Sequence, residues 1–204
     1  MKKIVLLLLV ITLSYQTKAQ GYGFEDISET MNHFGIKLGL NIAALNPNPD
    51  DDNYSSVVKF PYLGLASTMN ISKMFTLQSE LGYNLLGAEY NLFSNGEPLK
   101  ISLGYITIGA VMKAYFFENL GLNIDLGLQY GYLVYASHDD LDRLDNYKTS
   151  DFDLLLGLGY DFDIGFFVEA RYLLGFTNIS NLQDIHYSNS IKNNAIQIQA
   201  GWMF

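Results

Sequence analysis

The sequence predicts an all-β chain, an eight-stranded antiparallel transmembrane β-barrel of the outer-membrane type wound as an up-and-down meander. Three observations carry this expectation. Apolar side chains recur with period two in segment after segment, which collects them on one face of a strand, whereas a helix would scatter them around its circumference. The connections alternate between tight turns and long polar loops, the plan of barrels that turn briefly in the periplasm and loop widely outside. A short apolar leader opens the chain, yet no later segment offers the roughly 18 uninterrupted apolar residues of a membrane-crossing helix.

The leader comes first. Lys2 and Lys3 precede an apolar run from Ile4 to Leu13, and Thr17 and Ala19 place small residues around a cleavage site before Gln20. This is the pattern of a secretory signal over residues 1–19, too short to span a bilayer. Residues 20–32 read as a short periplasmic arm, and residues 33–204 as the barrel. Eight segments follow: 33–46, 59–71, 74–90, 100–117, 120–136, 151–163, 165–178 and 193–204. In the first, Phe34, Ile36, Leu38, Leu40 and Ile42 alternate with Gly35, Lys37, Gly39 and Asn41. The fifth alternates Leu122, Ile124, Leu126, Leu128, Tyr130 and Tyr132 with small or polar residues, the seventh Phe166, Val168, Ala170, Tyr172, Leu174 and Phe176, and the last Ile196, Ile198, Ala200, Trp202 and Phe204. Asn70 to Lys73, Glu118–Asn119 and Asp161 to Asp163 read as tight turns. Residues 46–58, 90–99, 137–150 and 179–192 read as long loops rich in Asn, Asp and Ser.

Composition agrees. The 204 residues include 18 Gly, 15 Tyr and 13 Phe against 4 Pro and no Cys. That mixture suits a tightly packed β-protein, and the missing thiols exclude a disulfide framework, a cysteine nucleophile and a lipid anchor on an N-terminal Cys. The formal net charge is −9, and three of the 12 basic residues (Lys2, Lys3 and Lys18) lie in the leader. The remainder is therefore strongly acidic, the reverse of what nucleic acid requires.

Alternation alone does not say which face looks outward. One face carries Lys37, Gly39, Asn41, Asn123, Asp125, Gly127, Gln129, Gly131, Gly157 and Gly159. These small and polar residues suit the narrow interior of an eight-stranded barrel, which side chains fill. The other face is large and apolar, a band that water would not tolerate but lipid requires. Phe75, Tyr105, Tyr115, Phe116, Tyr130, Tyr132, Tyr160 and Phe162 lie near strand ends, where interfacial aromatic girdles are expected. The longest segments should project beyond the bilayer on the loop side, since about 9–11 tilted residues span it.

The run Phe152 to Phe162, with Gly157, Gly159, Tyr160 and Asp161, leads into Val168, Glu169, Arg171 and Tyr172, then Gly175, Thr177, Asn178 and Ile179. A glycine-aromatic-acidic turn, a glutamate and arginine two apart and a Thr-Asn-Ile stop resemble the small outer-membrane barrels of Bacteroidetes, the PorT-like group. Tyr105 to Lys113 is a second piece of the likeness, with Thr107 and Gly109 where that family usually has an acidic residue and a proline. The resemblance covers roughly residues 33–204. It implies a barrel in the outer membrane and carries no catalytic motif. The namesake is tied to secretion and gliding machinery.

The candidate site residues are seven charges on the polar face: Lys37, Glu80, Lys113, Asp125, Asp153, Glu169 and Arg171. Charges taken out of water must be paired or hydrogen-bonded, so these predict a structural ion-pair network in the lumen, with Glu169 and Arg171 on the same face of one strand. Ser137, His138 and Asp139 hold the residue types of a hydrolase, but neighbours in sequence are rarely arranged as a triad. Asp50, Asp51 and Asp52, and Asp139, Asp140, Asp142 and Asp145, are acidic loop clusters without calcium-loop spacing, which read as solvated. Ile198, Trp202 and Phe204 resemble the C-terminal pattern read by barrel-assembly machinery. The expected function is a non-enzymatic outer-membrane barrel, structural or accessory to surface or secretion assemblies. No catalytic residue, metal or cofactor is expected, and the partners would be outer-membrane lipid, the assembly machinery and envelope proteins. A lipid-modifying enzyme and a soluble lipocalin-like periplasmic carrier are the alternatives.

Overall fold

A computed structural model describes residues 33–46, 58–90, 99–116, 121–138, 141–142, 144–181 and 191–204. Residues 1–32, and with them the expected signal and periplasmic arm, lie outside the described residues. Eight long strands run in chain order: β1 (His33–Asn46), β2 (Val58–Asn70), β3 (Phe75–Tyr90), β4 (Leu99–Tyr115), β5 (Leu122–His138), β7 (Ser150–Asp161), β8 (Phe166–Gly175) and β9 (Lys192–Met203). Between β5 and β7 the chain adds a two-residue strand β6 (Leu141–Asp142) and a 3-10 turn (Leu144–Asn146), neither of which period-two patterning could reveal. The strand ends differ from the expected ones by up to three residues.

Each long strand pairs antiparallel with its neighbour in sequence, and β1 closes onto β9 with Leu38 opposite Ala200. Closure leaves no open sheet edge over the paired span, where the ladders satisfy the backbone of each long strand on both sides. The registers are staggered. Leu38 faces Leu63, which faces Tyr83, which faces Ile106, and that residue faces Tyr132 and then Ser150 near the start of β7. Such a stagger tilts the strands and sets an interior that side chains can fill.

The outer face is apolar and open to its surroundings: Leu38, Leu65, Ile106, Leu126, Leu128, Leu158 and Ile198 are all exposed. A lipocalin-like carrier has the opposite arrangement, with its apolar side chains inside. Phe34, Phe162, Phe166, Trp202 and Phe204 gather at the turn end, and the rings of Phe162 and Phe166 lie 5.5 Å apart. Tyr83, Tyr132, Phe152, Tyr172 and Phe176 stand exposed toward the loop end. Two of the residues assigned to girdles are not there. Tyr105 is buried inside, and the Tyr115 hydroxyl turns in to donate to Asp161. Both share odd parity with the lumen-facing Thr107, Val111 and Lys113 of β4, so their neighbours on the strand outweigh their position near its ends.

Two local features re-aim the chain. Gly104 faces Tyr135 while Tyr105 faces Leu133, so β5 carries an extra residue there. This bulge reverses the alternation of β5, leaving Val134 and Tyr135 both exposed and Ala136 buried. The turn between β7 and β8 occupies Phe162 to Gly165, with Gly165 N–H donating to the Phe162 carbonyl at 3.0 Å. Gly165 has φ of 87°, a left-handed conformation that glycine adopts without a side-chain clash.

Near the loop end the interior changes character. Leu45, Leu86, Leu103, Leu133, Leu155, Leu173, Tyr147 and Ile179 belong to one buried apolar cluster. Lys148 N–H donates to the Ile179 carbonyl at 2.8 Å, and Ile179 N–H to Ile191 at 2.9 Å, which ties the described loop segments together there. The alternation predicts a lumen lined by small and polar residues. The structure corrects it to polar over the turn half and largely apolar at the loop end.

Candidate functional site in the lumen

The lumen face is built from odd positions of β1, β4, β5, β7, β8 and β9 and even positions of β3. Strand alternation commits those side chains to the interior, and small residues beside them make the room. A side chain at Gly157 would place its first carbon 2.6 Å from Cγ of Arg171. One at Gly64 would stand 2.5 Å from the Tyr62 hydroxyl. The glycines of the polar face are thus the counterparts of its longest side chains.

Arg171 on β8 is the hub. Its Nη1 lies 2.6 Å from Glu80 Oε1, its Nε 2.9 Å from Asp125 Oδ2 and its Nη2 2.9 Å from Glu169 Oε2. Lys37 Nζ bridges Glu80 at 2.7 Å and Glu169 at 2.8 Å. Lys113 Nζ joins Glu169 at 3.1 Å and Asp161 at 2.9 Å. Two of these cations flank the Phe167 ring, Lys113 at 5.4 Å and Lys37 at 6.0 Å from its centroid, which adds a cation–π attraction inside the cluster. Lys37, Lys113 and Arg171 therefore face Glu80, Asp125, Glu169 and the rim carboxylate Asp161, so the charges nearly cancel. Such pairing offsets the cost of taking them from water.

Six of the seven predicted residues meet in this network. The seventh, Asp153, is also buried but stands apart, its Oδ2 accepting from Gln129 Nε2 at 3.0 Å. Lys113 and Glu80, on adjacent strands, are each paired elsewhere. Sequence reasoning missed Asp161 and Asp151. Asp161 was assigned to a turn, yet it shares parity with Gly157 and Gly159, and Asp151 shares it with Asp153. Extending the alternation by one step in each direction would have found both.

Above the ion pairs, Asn41 donates to Asn84, and Gln197 Nε2 donates to Asn41 Oδ1 at 3.0 Å. At the turn end a cavity of about 440 Å³ enters the lumen, lined in part by His33, Gln78, Lys113, Asp161, Phe166 and Phe167. The ion-pair network forms its inner limit, and the asparagine–glutamine layer and the apolar cluster follow beyond it.

The hydrolase-like triplet falls mostly outside the described residues. Ser137 is buried next to Ala136, and the side chains of His138 and Asp139 lie outside the described residues. His33 Nδ1 sits 3.2 Å from the Phe204 carbonyl. Among the described residues no group of three or more His, Asp or Glu side chains is placed to hold a metal. The acidic loop cluster at 50–52 lies outside the described residues.

With this geometry in hand, comparisons place the chain. Neisserial surface protein A superimposes with a TM-score of 0.54 at 15% identity, covering 84% of this chain and 97% of that one. The attachment invasion locus protein Ail of Yersinia pestis gives 0.47 at 14% identity, with 85% and 99% covered. OprG of Pseudomonas aeruginosa, an outer-membrane protein, gives 0.47 at 13% identity, with 86% and 97% covered. At such identities the first of these likenesses speaks for the fold alone, and the other two carry no argument. No match was found among curated proteins. The family described as the outer membrane protein beta-barrel domain matches residues 16–181. This chain therefore belongs to the outer membrane protein β-barrel domain family, and its barrel is an outer-membrane one.

Proposed function

We propose that this protein is a non-enzymatic, non-conducting outer-membrane barrel, structural or accessory to surface or secretion assemblies, which presents acidic loops outside the cell. In this reading residues 1–19 are a cleaved export signal, and the turn end with both strand termini faces the periplasm. The kinship to the PorT-like barrels of Bacteroidetes, read from Gly157, Tyr160, Glu169 and Arg171, belongs to the same proposal.

One observation carries it: the lumen holds fully buried Arg171, Lys37, Lys113, Tyr105 and Phe167, locked by ion pairs and packing. A solute would have to break several buried charge pairs at once to pass, and breaking even one is costly. Reconstitution in a planar bilayer should give no stable conductance, and steady ohmic steps would overturn the non-conducting reading. Crosslinking in intact cells, followed by identification of captured proteins, tests the accessory role. A barrel that crosslinks to nothing but itself and lipid would make that role untenable.

A further inference from the structure

The lower lumen is nearly neutral, but the two acids above it are not. Asp151 and Asp153 project from β7 onto the lumen face and are 1% and 2% exposed. Among the described residues no Lys, Arg or His lies within ion-pair distance of either. They are also cut off from the cations below. Leu155 faces Leu173, which faces Ala195, and this apolar row separates the two acids from Arg171. The apolar cluster with Tyr147 and Ile179 closes over them on the loop side.

The polar groups around them are two amides, Gln129 and Asn193, and the Tyr105 phenol. Asp153 faces Gly175 on β8, where a side chain would run into the backbone of Asn193 on β9. Asn193 Nδ2 donates to Asp151 Oδ2 at 2.6 Å and to the Tyr105 hydroxyl oxygen at 3.0 Å. Asn193 is 1% exposed, its Oδ1 accepts from nothing, and a half-turn of the amide would set that oxygen where Nδ2 now faces Asp151. Asp151 Oδ1 and Asp153 Oδ1 likewise have no partner. Three orphaned buried acceptors and two uncompensated carboxylates thus share one locality. In the ion-pair network below, by contrast, the unbonded Glu169 Oε2 still stands within 2.9 Å of two cations.

An uncompensated buried carboxylate binds a cation or takes up a proton. We propose that Asp151, Asp153 and Asn193 form a binding site for a divalent cation, Ca²⁺ by the hardness of an all-oxygen donor set. Two carboxylates match its charge, and an amide oxygen, the Tyr105 hydroxyl and water supply the neutral donors such ions take. The ion would tie β7 to β9 across β8, just where the lumen turns apolar and the loops begin. Its source is the medium outside the cell, so an affinity of about 10⁻⁴–10⁻³ M, as in extracellular calcium modules, would suffice.

The test uses the full barrel refolded in detergent. Ca²⁺ titration by calorimetry and thermal unfolding in 5 mM-scale Ca²⁺ (on the order of ten Kd at such affinities) against EDTA are compared with Asp153→Asn and Asp151→Asn/Asp153→Asn. Binding and a raised Tm in the parent, lost at least tenfold in the double variant, are the expected result. The variants remain informative if apo, because removing buried charge should leave them at least as stable as the parent in EDTA. Calcium binding that survives in the double variant would locate it in the acidic loops and overturn the proposal. A parent whose Tm ignores Ca²⁺ but rises as pH falls would mean that protons alone occupy the site, and would overturn it equally.

Discussion

Replacing Arg171 by methionine removes three buried ion pairs while keeping a side chain of comparable reach. The three losses are not equal. Glu80 keeps Lys37 at 2.7 Å, and Glu169 keeps both Lys37 and Lys113. Asp125 is bonded to Arg171 Nε at 2.9 Å, and among the described residues no second cation stands within ion-pair distance of it. Removing one partner of a buried pair costs about 3–5 kcal/mol, most of it the charge left behind. Arg171→Met should therefore lose about 3–5 kcal/mol, concentrated at Asp125. Adding Asp125→Asn removes that stranded charge and should restore about half of the loss, a coupling of neighbours that a double-variant cycle isolates. Urea unfolding in detergent micelles, followed by the fluorescence of the single tryptophan, Trp202, and by the heat-modifiable gel mobility of the barrel, measures both. A single variant within about 0.5 kcal/mol of the parent, the range of ordinary surface substitutions, would refute the reasoning. So would a double variant no more stable than the single one.

Three further outcomes follow from the same geometry. Leu126, exposed near the middle of the roughly ten residues of β5 that span a bilayer from its turn end, should cost about 2–4 kcal/mol as Leu126→Arg, whereas Phe162→Arg at the turn end should cost about 0–1 by charge burial in lipid; equal costs in lipid vesicles would contradict the placement of the bilayer. Gly157→Ala puts a methyl group against the stem of Arg171 and should destabilise by about 1–3 kcal/mol through overpacking, read by the same unfolding assay; a neutral result would show that Arg171 has space to move. Phe204→Ser, at the end of the Ile198 and Trp202 pattern, should lower the yield of folded barrel in cells while leaving refolding in detergent unchanged. An undiminished yield in cells would remove the assembly-signal reading.

The alternation of Phe34 to Ile42, and of Leu122 to Tyr132, was readable because period-two burial is a property of the local chain. It needs no knowledge of which strand lies beside it. The alternating loop lengths carried the antiparallel order in the same way, and the polar parity of Lys37, Asp125 and Arg171 placed these residues in one interior. Partnership is another matter. That Arg171 meets Glu80, 91 residues away, depends on the stagger of every strand between them and on closure of β1 against β9. A one-residue slip in any register would turn a strand's side chains to the other face. The bulge opposite Gly104 and Tyr105, which reverses the last residues of β5, is set by pairing rather than by residue type. The same holds for the separation of Asp153 from the network and for its meeting with Asn193. By itself the sequence determined an all-β barrel with an apolar skin and charges inside. The tertiary structure decided which charges neutralise one another and which two, among the described residues, are left without a cation, because only closure brings distant strands to a common interior.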